Sequence, residues 1–472
     1  MIASLSLVFP ELVLTAAAAL LLLVDDGKQE RKGFSLAVTV AALAGAALLA
    51  LMSSDGTAFH MLVLDGAGRF LKVLLVGAVL AVLALGSGFS GFAGTREKPF
   101  HWGTFCGLLL LSTVGLFFLV SAADFLVILI AIELISVSSF VLVGYSRDDR
   151  RASEAAVKYF MVGAFSAALM VFGMSILYGL TGGTALSALA GESASALPVL
   201  PLAGALFFIL AGFGFKLALV PFHMWAPDVY EGAPTPITAF LSVAPKAAAF
   251  GMMIRFFQNH TALHVTALLA VISAATMTVG NLAALRQTNV KRLLAYSSVA
   301  QMGYVLMGIV AGGAAGARAV LIYLAAYLFM NLGAFASVVA VGEDAQTESI
   351  DGFSGLAARS LPLALTTTVF LLSLTGIPPL VGFIGKFSLF SATLQAPGLV
   401  WLAVVGAVNS VISLVYYFSI VRLMFFGAPA RPGPVALPRP VFACLTITSA
   451  LTLLAGVFPN WLIALAQSVW HY

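Results

Sequence analysis

The chain has 472 residues, of which 61% belong to the apolar set AVILMFWYC and 9% are charged, with 23 Lys+Arg against 19 Asp+Glu for a net charge of +4. A soluble domain carries roughly 45–50% apolar and about 25% charged residues, so this composition excludes a soluble globular protein, a disordered chain and a nucleic-acid binder. Uninterrupted apolar runs of about 20 residues recur from Leu12 to Leu465 where a strand barrel would show short alternating segments, and the fold class is therefore an all-α polytopic membrane protein.

Each span with its connection uses about 30 residues, which leaves room for roughly a dozen to fifteen helices. In chain order, the apolar runs predict fourteen spans at 3–24, 34–52, 70–91, 102–120, 123–145, 155–180, 200–221, 236–256, 263–284, 292–311, 317–341, 361–395, 399–425 and 440–468. The first, MIASLSLVFPELVL onward, lacks a basic n-region and is expected to stay as helix 1 rather than be cleaved. Cys106 and Cys444 lie in or beside apolar runs with no metal-binding spacing, so core packing is their expected role.

Lys and Arg should crowd the cytoplasmic loops. Odd-numbered loops hold 14 of the 23 cations and even-numbered loops hold 2, Arg69 and Arg318, which predicts that both termini face the periplasm. Seven cations fall inside spans: Lys72, Lys158, Lys216, Lys246, Arg255, Lys386 and Arg422.

Sliding the chain by 164 residues lays Phe140-Val-Leu-Val-Gly144 over Tyr304-Val-Leu-Met-Gly308 and Tyr159 over Tyr323, and six further residues bring Lys216 over Lys386. The expected organisation is one membrane domain, 1–472, with three N-terminal helices in 1–101, five-helix repeats in 102–257 and 263–425, and a last helix in 440–468. An odd helix count per repeat makes the repeats inverted, as in many ion-coupled transporters. Spans 7 and 12 are expected to be discontinuous at Pro221 and at Pro378-Pro379, and Pro245 marks a further break beside Lys246. Proline frees carbonyls that need a partner at membrane depth, and matched interruptions point to a transport site.

Glu133 is central in span 5, where a carboxylate must be paired, hydrated or protonated; it reads as a titratable element of a proton path or as a structural tether. Lys246, central in span 8, reads the same way. Lys216 could snorkel from its span end, although its repeat partner and the nearby proline argue for the path, and Lys386 should point into a hydrated gap. Lys72, Lys158, Arg255 and Arg422 read as snorkelling anchors, Asp124 as a helix cap, and Glu343, Asp344, Glu348 and Asp351 as an acidic loop without metal-ligand spacing. No Walker loop, strand-borne GxGxxG, metal-binding helix or histidine triad is present, which places any redox chemistry on another chain.

The segment Pro221-Phe-His-Met-Trp-Ala-Pro-Asp-Val-Tyr-Glu-Gly-Ala-Pro, running on to Ser242-Val-Ala-Pro245-Lys246, resembles the hallmark stretch of the antiporter-like membrane subunits of respiratory complex I. Asn289-Val-Lys-Arg-Leu-Leu-Ala-Tyr-Ser-Ser298 and Gly376-Ile-Pro-Pro-Leu-Val-Gly-Phe-Ile-Gly-Lys386 extend the likeness over nearly the whole chain. Asp-Val-Tyr-Glu-Gly-Ala-Pro, Ser-Val-x-Pro-Lys and the lysine at 386 are similar to the N-type branch rather than L or M. The resemblance implies two inverted half-channels and a mid-membrane axis of Glu133, Lys216, Lys246 and Lys386 that moves protons. It also implies the bacterial cytoplasmic membrane, partners among the antiporter-like and small membrane subunits, no cofactor in this chain, and NADH, FMN, iron–sulfur clusters and quinone on other subunits. A multi-subunit cation/proton antiporter, a membrane-bound hydrogenase, an F420H2 dehydrogenase or a pure scaffold would use a similar chain.

Overall fold

The computed structural model describes residues 5–25, 31–92, 100–146, 148–189, 197–258 and 265–469. Four of the 14 cations counted in the odd-numbered loops, Lys28, Arg96, Lys98 and Arg147, lie outside the described residues. By contacts the chain divides into two units, one of residues 1–80, 91–217 and 244–266, the other of 81–90, 218–243 and 267–472.

The N-terminal helices are α1 (Phe9–Val24), α2 (Lys32–Met52) and α3 (Gly66–Ser87), with a hairpin of β1 (Gly56–Ala58) and β2 (Leu62–Leu64) between the last two. Then come α4 (Trp102–Ser121), α5 (Phe125–Val143), α6 (Arg150–Thr181), α7 (Val199–Leu217), α8 (Trp225–Gly232) and α9 (Thr235–Gln258). A second series follows: α10 (Thr266–Ala284), α11 (Val290–Ala311), α12 (Gly313–Ala345), α13 (Leu361–Thr375), α14 (Val381–Gln395) and α15 (Val400–Phe426). The chain closes with α16 (Arg439–Val457) and α17 (Asn460–Ser468). Twelve helices among the described residues are long and apolar enough to cross a membrane, and the shorter apolar α1 and α13 bring the number to the fourteen read from the sequence. The last expected span is shorter than 440–468, because Phe458 and Pro459 end α16 and start α17.

An offset of 164 residues carries Trp102, the start of α4, onto Thr266, the start of α10. Local detail recurs with it. Asp124 caps α5 by accepting from the Leu126 amide at 2.8 Å, and Asn289 caps α11 by accepting from the Lys291 amide at 2.8 Å. The caps lie in bridges, Asp124 with Ala185 and Asn289 with Ser349. Both α6 and α12 end on a left-handed residue, Gly182 or Gln346, whose N–H returns to the carbonyl four residues back.

A helix apolar all round is one enclosed by others. The membrane-length windows of α9 and α12 are wholly buried, whereas α6 and α15 turn large apolar side chains such as Phe165 and Val411 outward. Many hydroxyls inside the helices bond to their own backbone, as when Thr113 donates to the Leu109 carbonyl at 2.8 Å.

Pro245 does not break its helix, contrary to expectation: α9 runs unbroken from Thr235 to Gln258 with Pro245 inside it. Proline deletes one helical hydrogen bond, and the close packing around α9 holds the turns on either side. Lys72 is not a snorkelling anchor either; it is 1% exposed and pairs with Glu11. Arg255 is also engaged, with the Asp65 carboxylate at 2.6 Å and the Val120 carbonyl at 3.0 Å. Both cations had partners far away in sequence, which span-by-span reading does not see.

Candidate proton-transfer sites at the helix interruptions

Lys216 is the next-to-last residue of α7, where a cation complements the free carbonyls of a helix C-terminus. Beyond it Ala218 has φ +55, and residues 218–224, including Pro221, separate α7 from α8. The Lys216 side chain is buried, and its Nζ donates to Ser136 Oγ on α5 at 3.0 Å. Ser136 Oγ in turn donates to the Ile132 carbonyl at 2.7 Å. Glu133 stands three residues before Ser136, on the same face of α5, and acts electrostatically on Lys216. Glu133 is only half-buried rather than enclosed, because neighbouring turns of α5 present Ile130 and Val137 outward. Nearby, Tyr159 packs its ring on Phe140 and Phe215, with centroids 4.8 and 5.5 Å away.

Lys386, on α14, follows the second interruption, which residues 376–380 form between α13 and α14 and which contains Pro378-Pro379. Its Nζ donates to the carbonyl of Thr375, the last residue of α13, at 2.8 Å, and to Ser410 Oγ on α15 at 3.0 Å. The ammonium also lies 4.3 Å from the ring centroid of Tyr304 on α11, a cation–π distance. Gly376 makes this approach possible: its φ is +93, and a Cβ there would meet Lys386 Cδ at 2.9 Å. Lys216 precedes its interruption and Lys386 follows its own, so the register that superposes the two lysines does not place them equivalently about the breaks.

Neutral polar side chains continue from Lys386 through its unit, and these the sequence reading missed. Gln301 Nε2 donates to the Leu374 carbonyl at 2.9 Å, and the Tyr323 hydroxyl donates to Gln301 Oε1. Tyr327 and Ser298 share a hydrogen bond of 2.7 Å, and Tyr417 bonds Ser297. Tyr416 donates to Asn281 Oδ1 at 2.9 Å, Asn281 to Asn409 Oδ1 at 3.1 Å, and Asn409 to Thr278 Oγ1 at 3.1 Å. The available signal was three side-chain amides, Asn281, Gln301 and Asn409, inside predicted spans.

Lys246 is fully buried on α9. In the other unit, α8 presents Asp228 and Glu231, three residues apart, to Arg292 at 2.7 and 3.0 Å. The neighbouring Lys291 reaches Glu348 at 2.6 Å and the Ala233 carbonyl at 2.8 Å. Asp344 is held bidentately by Arg359 at 2.6 and 2.9 Å, so this part of the acidic loop forms ion pairs. Among the described residues no three His, Cys, Asp or Glu side chains are placed to share a metal ion.

Buried lysines at paired helix interruptions, in a polytopic all-α chain with repeated local detail, define an antiporter-like membrane subunit. Residues 122–413 match the family model described as NADH:quinone oxidoreductase/Mrp antiporter, transmembrane. The NADH-quinone oxidoreductase subunit N of Trichlorobacter lovleyi is 39% identical, with 98% of this chain and 96% of that one covered. The subunit N of Anaeromyxobacter sp. (strain Fw109-5) is 42% identical over 95% of this chain and 93% of its own. Among solved structures, a chain of respiratory complex I from Thermus thermophilus with bound aureothin superposes with a TM-score of 0.81 at 30% identity, covering 97% of this chain and 99% of that one. A chain of the Mrp complex from Dietzia sp. DQ12-45-1b reaches 0.85 at 22% identity, over 99% and 97%, and shares the fold. The chain belongs to the NADH:quinone oxidoreductase/Mrp antiporter transmembrane family, and within it to the NADH-quinone oxidoreductase N subunits.

Proposed function

We propose that this chain is the proton-translocating membrane subunit of a bacterial NADH:quinone oxidoreductase, and that quinone reduction on other subunits drives charge shifts along Glu133, Lys216, Lys246 and Lys386. The observation that carries this reading is how Lys216 and Lys386 are held. Both are buried beside helix interruptions, and hydroxyl and carbonyl oxygens rather than carboxylates accept from them. Lys72 and Lys291, by contrast, each bond a carboxylate at 2.6 Å. A serine hydroxyl can accept from an ammonium and, after rotating, donate to a neutral amine, so it serves a lysine in both protonation states. A carboxylate partner would hold the proton in place.

Glu133 on the same face as Ser136 supplies the opposite charge that makes Lys216 responsive to its surroundings. NADH, flavin, iron–sulfur clusters and quinone are assigned to other subunits, and neighbouring antiporter-like and small membrane subunits are the partners. The membrane is the bacterial cytoplasmic membrane, with both termini on the periplasmic side.

The test is Lys216→Ala in membrane vesicles, with NADH-driven quinone reduction and proton uptake measured together at matched complex assembly. Joint loss is the expected outcome. Unchanged NADH activity with lost cation/proton exchange would instead identify an antiporter subunit.

A further inference from the structure

Lys216 and Lys386 differ in what stands opposite their charge. Lys216 has a carboxylate, Glu133, acting on it from α5. In the register that lays Phe140 over Tyr304, Glu133 falls on Ser297, whose hydroxyl bonds Tyr417 instead. No other acid takes its place in the membrane. Between residues 267 and 472 the chain has four Asp or Glu side chains, Glu343, Asp344, Glu348 and Asp351, and all lie where α12 ends or just beyond it. Asp228 and Glu231, in the same unit, are engaged by Arg292.

The partners of Lys386 Nζ are the Thr375 carbonyl, Ser410 Oγ and the face of Tyr304, whose centroid is 4.3 Å away. An ammonium has three N–H groups and a neutral amine has two. Two oxygens therefore satisfy the neutral amine, and the third N–H of the charged form has the ring. Tyr304 is buried on α11, and Phe390, one helical turn beyond Lys386 on α14, meets its ring edge-on at 6.5 Å and 83°. Its hydroxyl has no hydrogen-bond partner among the described residues, so the ring makes its contacts with α14.

An aromatic face carries partial negative charge, so it attracts an ammonium far more than a neutral amine, most strongly away from water. Unlike a carboxylate, it leaves no net charge behind when the proton goes. Loss of the proton from Lys216 strands the Glu133 anion, whereas loss from Lys386 leaves a neutral site.

We propose that Tyr304 is a positioning residue for Lys386, its ring face holding the third N–H of the ammonium in place of a counter-anion. On release the proton passes to a water of the path, its bonding pair stays on Nζ, and the two remaining N–H groups keep both oxygens. The inference rests on Lys386 belonging to the proposed path and adds what retains the proton there. On the helices packed against α14, the other titratable side chains are Tyr296 on α11, Tyr323 and Tyr327 on α12, Tyr416 and Tyr417 on α15, and Cys444 on α16, all uncharged at neutral pH. Lys291, Arg292, Arg318, Arg422 and Arg439, like Glu343 and Asp344, stand in the first or last two turns of these helices.

The test places phenylalanine and then mono-, di- and trifluorophenylalanine at position 304 in the full complex. These rings keep their shape while each fluorine drains negative charge from the face. NADH-driven proton uptake by membrane vesicles is followed against pH at matched complex assembly, with Tyr304→Phe as the reference and Lys386→Met beside it. Each fluorine should bring the alkaline fall of uptake to lower pH, by about one unit across the series, because the lysine gives up its proton sooner. A fall fixed at one pH would overturn the inference and leave Lys386 in the path, since a ring that only fills space does not respond to fluorine. A reference variant without uptake would overturn it as well, by making the hydroxyl the working group. Uptake retained in Lys386→Met would overturn the inference together with the proposed path.

Discussion

Lys386 Nζ donates to the Thr375 carbonyl at 2.8 Å, so the charge on the second half of an interrupted helix caps the last carbonyl of the first half. Ser410 Oγ donates to the same carbonyl at 2.8 Å while accepting from the lysine. Backbone groups at membrane depth must find partners within the protein, and this carbonyl has two. The charge and the interruption therefore form a single device, in which Lys386 could lose its proton while Ser410 keeps the carbonyl satisfied.

Lys386→Met is accordingly expected to abolish coupled proton uptake and leave most of the complex assembled, because Ser410 still bonds Thr375. Ser410→Ala alone should reduce uptake without abolishing it. The double variant leaves the carbonyl unpaired, a cost of about 1–3 kcal/mol beyond the sum of the single effects. Thermal midpoints of the purified complex across the four-member cycle measure that excess, and strict additivity would deny the shared role.

Lys216→Arg separates a fixed charge from a mobile proton. Arginine stays protonated in proteins and can donate to Ser136 Oγ as the lysine does, so the static interactions of the site are largely kept. Proton uptake and the quinone reduction coupled to it should fall as far as in Lys216→Ala. Retained uptake would mean that position 216 needs only a positive charge.

The fourteen spans were legible because each is an apolar run between polar breaks, and the cap at Asp124 is a local signal; the matching cap at Asn289 was not read. Lys72 was misread because its partner, Glu11, lies 61 residues away on another helix. Gln301, Asn281 and Asn409 escaped notice because an isolated amide scarcely alters the hydropathy of a span. The positions of Lys216 and Lys386 about their breaks depend on where α7 and α13 stop, after Leu217 and Thr375, which the prolines bracket only loosely. Pro245 shows the converse, a helix breaker overruled by packing.

Gly382→Ala should be far more damaging than its chemistry suggests. A Cβ at Gly382 would lie 1.8 Å from the Ser373 carbonyl oxygen, whereas one at Gly179 on α6 would meet nothing within 4 Å. Overpacking typically costs about 1–3 kcal/mol, and a backbone oxygen that cannot move aside puts this case at the upper end or beyond. Gly179→Ala should instead gain about 0.5–1 kcal/mol from restricted backbone freedom. Yields of assembled complex and its thermal midpoint check both, and equal behaviour of the two variants would refute the packing account.

Arg292 ties Asp228 and Glu231 of α8 to the start of α11, and the three side chains are about a third exposed, with 31% for the arginine and 34% for each acid. Solvent weakens each pair to about 0.2–1 kcal/mol, so neither alone is a large contribution. Arg292→Ala removes both and leaves two carboxylates one helical turn apart with no cation between them. It should therefore destabilise the complex more than Asp228→Asn or Glu231→Gln, each of which keeps one pair and relieves the repulsion. Raising ionic strength shortens the screening length from about 8 Å at 0.15 M to 3 Å at 1 M, so the gap between Arg292→Ala and the other two should narrow with salt. Thermal midpoints across a salt series measure it, and a gap indifferent to salt would mean that Arg292 acts through the packing of its aliphatic stem.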